Sequence, residues 1–194
     1  MRWLSALALL LLLPGCWFGG DFYTASDLRP ALPPGRYRVE PLTPRPGEED
    51  PGKTLVVSVR GDGFTEFVPV EQDGREDRSE TAIAGFVPVD ETNTAFAAWF
   101  ELPPGGPPAQ NGAVGSPDLR PYALLRRDPD GSYRFLILSC PGPIEAIARA
   151  AGARPSELAP SVCIFPDRAS LEAGLRSVPA DFDDGLRFVP VPAP

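Results

Sequence analysis

The segment "TLVVSVRGDGFTEFVPV", residues 54–70, carries two runs of β-branched and aromatic residues on either side of Gly61-Asp62-Gly63. Strand formers bracketing glycines and an aspartate read as a β-hairpin, because only the glycines reach the backbone angles of a tight reversal without steric cost. The same grammar recurs outward along the chain. "RYRVEPL" (36–42) alternates polar and apolar residues, and "YALLRRDPDGSYRFLIL" (122–138) is a second hairpin turning at Asp130-Gly131. "TAIAGFVPVD" (81–90) and "AFAAWFEL" (95–102) add two more strands. The tetrapeptide Phe-Val-Pro-Val begins at Phe67, Phe86 and Phe188. Proline donates no hydrogen bond to a sheet ladder, so each copy is expected at an edge or a strand end.

Two helices are expected in the last third. In "PIEAIARAAG", Ile144, Ile147, Ala148 and Ala151 share one face, with Pro143 near the start and Gly152 as the stop. In "DRASLEAGLRSVP", Asp167 is the N-cap, Leu171, Leu175 and Val178 form the apolar stripe, and Pro179 ends the helix. The expected fold is therefore α+β, a mostly antiparallel sheet with two short C-terminal helices, in a single domain over residues 36–194. Proline (26) and glycine (19) concentrate in three places. Residues 17–35 read as a tether, with its aromatics at a membrane interface. "TPRPGEEDPGK" (43–53) is an acidic loop. Residues 102–121 form a long Pro/Gly-rich loop that is either disordered or functional.

Charge and composition exclude several activities. The net charge is −8, which repels nucleic acid. The chain contains no histidine, so Ser-His and Cys-His catalysis are excluded, and two distant cysteines supply at most half of a zinc shell. No catalytic residue, metal site or cofactor is marked. The crowded carboxylates of "DPDGS" (128–132) and "DFDDG" (181–185) lack calcium-loop spacing and read as turns. "RGD" at Arg60–Asp62 lies between two strands and reads as a turn too. "EAIARAAGARPSEL" resembles a helix-turn-helix, but Pro160 truncates the second helix and Glu157 stands where a cation is needed.

The amino terminus says where the protein resides. Arg2, the apolar run Leu4–Leu13 and the small residue Gly15 have the build of an export signal over residues 1–15. Ten helical residues span about 15 Å, half of a bilayer's ~30 Å hydrocarbon core, so the segment is no transmembrane anchor. The stretch "LALLLLLPGCW" (7–17) resembles the lipobox of bacterial lipoproteins. That resemblance implies cleavage before Cys16, acylation of Cys16, and, with Trp17 rather than Asp in the next position, the periplasmic face of the outer membrane. Several acyl chains make a durable anchor, whereas one is marginal. With Cys16 lipidated, Cys140 and Cys163 remain as a disulfide pair in an oxidising compartment.

Two functions are carried forward. The first is a non-catalytic, lipid-anchored envelope protein that binds an envelope protein or glycan. The alternative is a carboxylate-dependent hydrolase acting on envelope glycans. In cells fed labelled fatty acid, the wild-type chain is expected to carry label and partition into detergent, and Cys16→Ser to lose both. A labelled Ser variant refutes the lipobox reading.

Overall fold

The computed structural model of the chain describes residues 17–43, 52–101, 119–140, 142–157 and 162–192. Cys16 and residues 102–118 of the long loop lie outside this set, as does most of the acidic loop 43–53. The strands are β1 (Trp17–Gly19), β2 (Gly35–Pro41), β3 (Lys53–Val59), β4 (Thr65–Val70), β5 (Ala82–Pro88) and β6 (Ala95–Glu101). They continue with β7 (Arg120–Arg127), β8 (Tyr133–Leu136), β9 (Arg154–Pro155), β10 (Cys163–Ile164) and β11 (Gly185–Val191). Helix α1 is Glu145–Ala150 and α2 is Arg168–Ser177.

The hairpin that opened the sequence reading is β3–β4, with Thr54 facing Val70 and Val59 facing Thr65. Each strand from β2 to β7 pairs antiparallel with the next. β11 then pairs with β8 on one side and with β2 on the other. The result is a closed eight-stranded antiparallel barrel, which corrects the expected α+β class. Among the described residues only α2, at ten residues, exceeds two helical turns, so the helices decorate a barrel rather than form a second layer of equal weight. Alternation along a strand reveals which face is buried. It does not reveal that the first and last strands meet.

The barrel is filled by side chains. Tyr37, Val39, Leu55, Val57, Phe67, Phe86, Phe96, Leu125, Tyr133, Phe135 and Phe188 form one buried cluster inside it. The three Phe-Val-Pro-Val copies meet here: the Phe67 ring lies 6.2 Å from Phe86 and 5.9 Å from Phe188, edge to face. Their prolines sit where each strand has lost one neighbour. Pro69 lies beyond the last β4–β5 pair at Phe67, Pro88 beyond the β4 pairing that ends at Ala84, and Pro190 beyond the β8 pairing that ends at Phe188. The strand-end expectation holds because those positions need no second donor.

A second cluster lies outside the wall, between β5–β8 and the helices. Val87, Ala97, Trp99, Tyr122, Leu124 and Leu136 face outward there against Ile144, Ala148, Leu171, Leu175 and Val178. Both helices present the faces expected of them. Asp167 caps α2 by accepting from the Ser170 amide at 2.8 Å, and Gly152 stops α1 with φ +96°. Cys140 and Cys163 are joined, Cα to Cα 5.6 Å, so the segment carrying α1 is closed into a loop. On the chain-entropy account such a bridge contributes about 3 kcal/mol.

Residues 17–35 are not a tether. Trp17 is fully buried, and β1 pairs antiparallel with β7 and parallel with β10. The Trp17 indole meets Phe165 at 4.9 Å, and both rings crowd Gly174 of α2 so closely that a Cβ there would sit 3.0 Å from the indole. Tyr23 stacks on Trp99 at 5.5 Å, and the Arg168 guanidinium lies over the Tyr23 ring at 4.6 Å. Leu28 joins the outer cluster, while Ala31 and Leu32 enter the barrel cluster. The prolines of this stretch shape a strap across the barrel end, and its apolar side chains complete both cores. Truncating Trp17 to Ala should therefore cost about 3–5 kcal/mol, read from the denaturant midpoint, as for a large buried aromatic. A tether residue would leave the midpoint unmoved.

Candidate functional site

A row of arginines crosses the outer wall in register: Arg126 of β7 faces Arg134 of β8, which faces Arg187 of β11. Like charges stacked this way repel unless each finds an acceptor. Arg126 donates to the Val178 and Pro179 carbonyls, the latter at 2.5 Å, so it caps the C-terminal end of α2 where the helix dipole favours a cation. Arg134 pairs with Asp128 at 2.7 Å and donates to the Ala180 carbonyl at 2.7 Å. Arg187 engages Asp130 and the Ser132 hydroxyl. Burial, followed by the neighbouring Arg134 charge, draws the Arg126 pKa downward. The carboxylates of "DPDGS" are thus committed to guanidinium groups, which fits their reading as a turn.

A different pair of arginines has no such partner. At the barrel end where β7 and β11 finish and β2 begins, a cleft of about 240 Å³ opens. It is lined by Pro33, Pro34, Arg36, Tyr37, Arg127 and Tyr133, with Gly131 and the end of β11 completing its rim. Neither Arg36 nor Arg127 makes an ion pair or side-chain hydrogen bond among the described residues, whereas their neighbours Arg38 and Arg134 do. In a chain with 26 acids against 18 bases, two exposed guanidiniums without an acidic partner meet on one cleft.

Two tyrosines form the floor. Tyr37 and Tyr133 are 2% and 3% exposed, and their rings meet edge to face at 6.2 Å. The Tyr37 hydroxyl donates to the Pro33 carbonyl at 2.8 Å, fixing the strap to β2. The Tyr133 hydroxyl makes no hydrogen bond to the described residues and is open to the cleft. Burial, together with Tyr133, pushes the Tyr37 phenol up to about 12. Burial also raises Tyr133, opposed by the Arg127 charge. Both phenols therefore stay protonated at neutral pH, and Tyr133 offers an unused O–H donor beside two cations. This arrangement is complementary to an anionic group, with a proline and tyrosine surround for an apolar stem.

Of the residues singled out in the sequence, Cys140 and Cys163 come together in the outer cluster and Cys16 lies outside the described residues. Asp183 and Asp184 are not at the cleft. They precede the opposite end of β11, where Thr43 donates to Asp183 at 3.2 Å and burial, with the Asp183 charge, raises Asp184. The sequence reading missed Arg36, Tyr37, Arg127 and Tyr133. They lie on strands read correctly as strands, but residues 36 and 127 become neighbours only when the barrel closes. No protein-family model, curated protein or solved structure matches the chain.

All four tyrosines are raised above the ordinary value of 10.0, with burial as the leading cause in each: Tyr23 and Tyr133 upward, Tyr37 and Tyr122 to about 12. The folded state therefore holds phenolic protons that the unfolded chain loses above pH 10. Stability from these groups is intact below pH 10 and falls as pH climbs toward 12. Alkaline titration is expected to show tyrosinate absorbance appearing together with loss of the barrel's circular dichroism. Phenolate forming near pH 10 in a still-folded protein contradicts this packing.

Proposed function

We propose that this chain is a lipid-anchored cell-envelope protein, non-catalytic, whose barrel mouth binds an anionic group carried by an envelope protein or glycan. The observation that carries the reading is the cleft with Arg36, Arg127 and the unused Tyr133 hydroxyl. The lipobox-like stretch before Trp17 supports the anchor and, with Trp17 following Cys16, the periplasmic face of the outer membrane. The described lining of the cleft contains no Asp, Glu, Ser or Cys, so it offers binding donors and no pair of carboxyl groups. A hydrolase of glycans needs two acids converging on the substrate.

The volume limits the ligand. A cleft of about 240 Å³ is below the size of a typical drug-like site, so it takes a carboxylate or phosphate with a short stem rather than a whole oligosaccharide. Titration of the mature protein with glucuronate, an acidic tripeptide and inorganic phosphate, followed by amide shifts, separates the glycan, protein and free-anion sources. Shifts are expected at Gly35, Arg127 and Gly131. Replacing both cations, Arg36→Gln with Arg127→Gln, should weaken binding by about tenfold or more, as expected for lost charge-assisted hydrogen bonds, while the thermal midpoint is kept. Equal binding by the double variant, or no shift with any probe, refutes the assignment.

A further inference from the structure

Trp17, the residue after the lipidation cysteine, is also the first residue of β1. Its backbone is held on both sides, opposite Tyr122 of β7 and beside Cys163 of β10, and its side chain is fully buried. Consecutive Cα atoms are about 3.8 Å apart, so acyl chains on residue 16 begin one peptide unit from a fixed strand. A lipid anchor with no slack brings the bilayer against whatever surface surrounds β1.

That surface has a definite chemistry. Since neighbouring residues of a strand point to opposite faces, Trp17 and Cys163 face the outer core and the next residues, Phe18 and Ile164, face away from it. Phe18 is in register with Pro121 of β7 and with Ile164 of β10, and Ile164 with Arg154 of β9. Phe18, Pro121 and Ile164 are half-buried, Arg154 is exposed, and none of the four belongs to either core cluster. An aromatic, an aliphatic and a proline side by side, with an arginine at the rim, match the interfacial zone of a membrane, where apolar groups enter the acyl boundary and a long cation reaches the headgroups.

We propose that the face formed by Phe18, Pro121, Ile164 and Arg154 is the membrane seat of this protein, holding the barrel flush on the lipid with its cleft turned to the aqueous side. The inference rests on the lipid-anchor reading. It adds an orientation: β7 begins at the seat with Arg120 and ends at the cleft with Arg127, a path of roughly 23 Å along the strand. The anionic ligand is then met at the barrel end away from the membrane. On the opposite side of the ring, four strands from β7, lies β3, whose Val56 points outward between the buried Leu55 and Val57.

The test uses the full-length lipidated protein in phosphatidylcholine vesicles, with bromine placed on the acyl chains near the carbonyls. Phe18→Trp is compared with Val56→Trp, each against the wild-type emission, and vesicle flotation is recorded separately. The expected result is flotation of both variants, loss of most of the added emission for Phe18→Trp, and none for Val56→Trp. Ile164→Trp serves as a second reporter of the seat should Phe18→Trp fail to fold. Flotation with seat and far-side tryptophans quenched alike, or with neither quenched, overturns the seat and leaves the anchor standing. Failure to float overturns the anchor reading and the seat with it.

Discussion

The pairing of β2 with β11 is the constraint on which the remainder depends. Six residue pairs, from Leu186 with Pro41 to Val191 with Arg36, join the first barrel strand to the last. Without them the sheet would have two long open edges, each a row of unpaired backbone groups. With them, Phe67, Phe86 and Phe188 come from three separate strands into one interior contact. The repeated tetrapeptide thus has a single physical use: its phenylalanine fills the barrel and its proline stands where the strand has run out of a neighbour.

Closure also decides what lies outside. β5 to β8 are buried on both faces, inward by the aromatic filling and outward by α1, α2 and Trp17. The helical layer is tied to the wall by three different means. The disulfide joins the segment after β8 to β10, the indole of Trp17 wedges against Phe165 and Gly174, and Arg126 and Arg134 hold the carbonyls that end α2. The strap over residues 28–34 then crosses from the outer cluster to the inner one, so the amino-terminal segment belongs to both cores.

These features give the molecule two ends with different chemistry. One carries β1, which starts one residue after Cys16 and turns Phe18 away from the helices. The other carries a cleft where two arginines without an ion-pair partner meet a tyrosine hydroxyl, in a chain of opposite net charge. The barrel between them sets the distance and direction from one to the other.

The sequence by itself determined the local elements: the β3–β4 and β7–β8 hairpins, the proline-terminated strands, the Asp167 cap, the Gly152 stop and the pairing of Cys140 with Cys163. Each is written in a few neighbouring residues or, for the cysteines, in a count. One further signal was legible and went unread. "AIAGFV", "AFAAWF" and "YALL" are apolar at consecutive positions rather than alternate ones, as strands buried on both faces must be. The tertiary structure alone decided closure, the burial of residues 17–35 and the cleft. A strand's periodicity records which of its faces is buried and not which partner it meets, and the cost of closing a loop rises only slowly with its length. Nothing local in "RYRV" or "FVPV" therefore marks them as neighbours, and Arg36 and Arg127 share a site only because the closed barrel has no open edge.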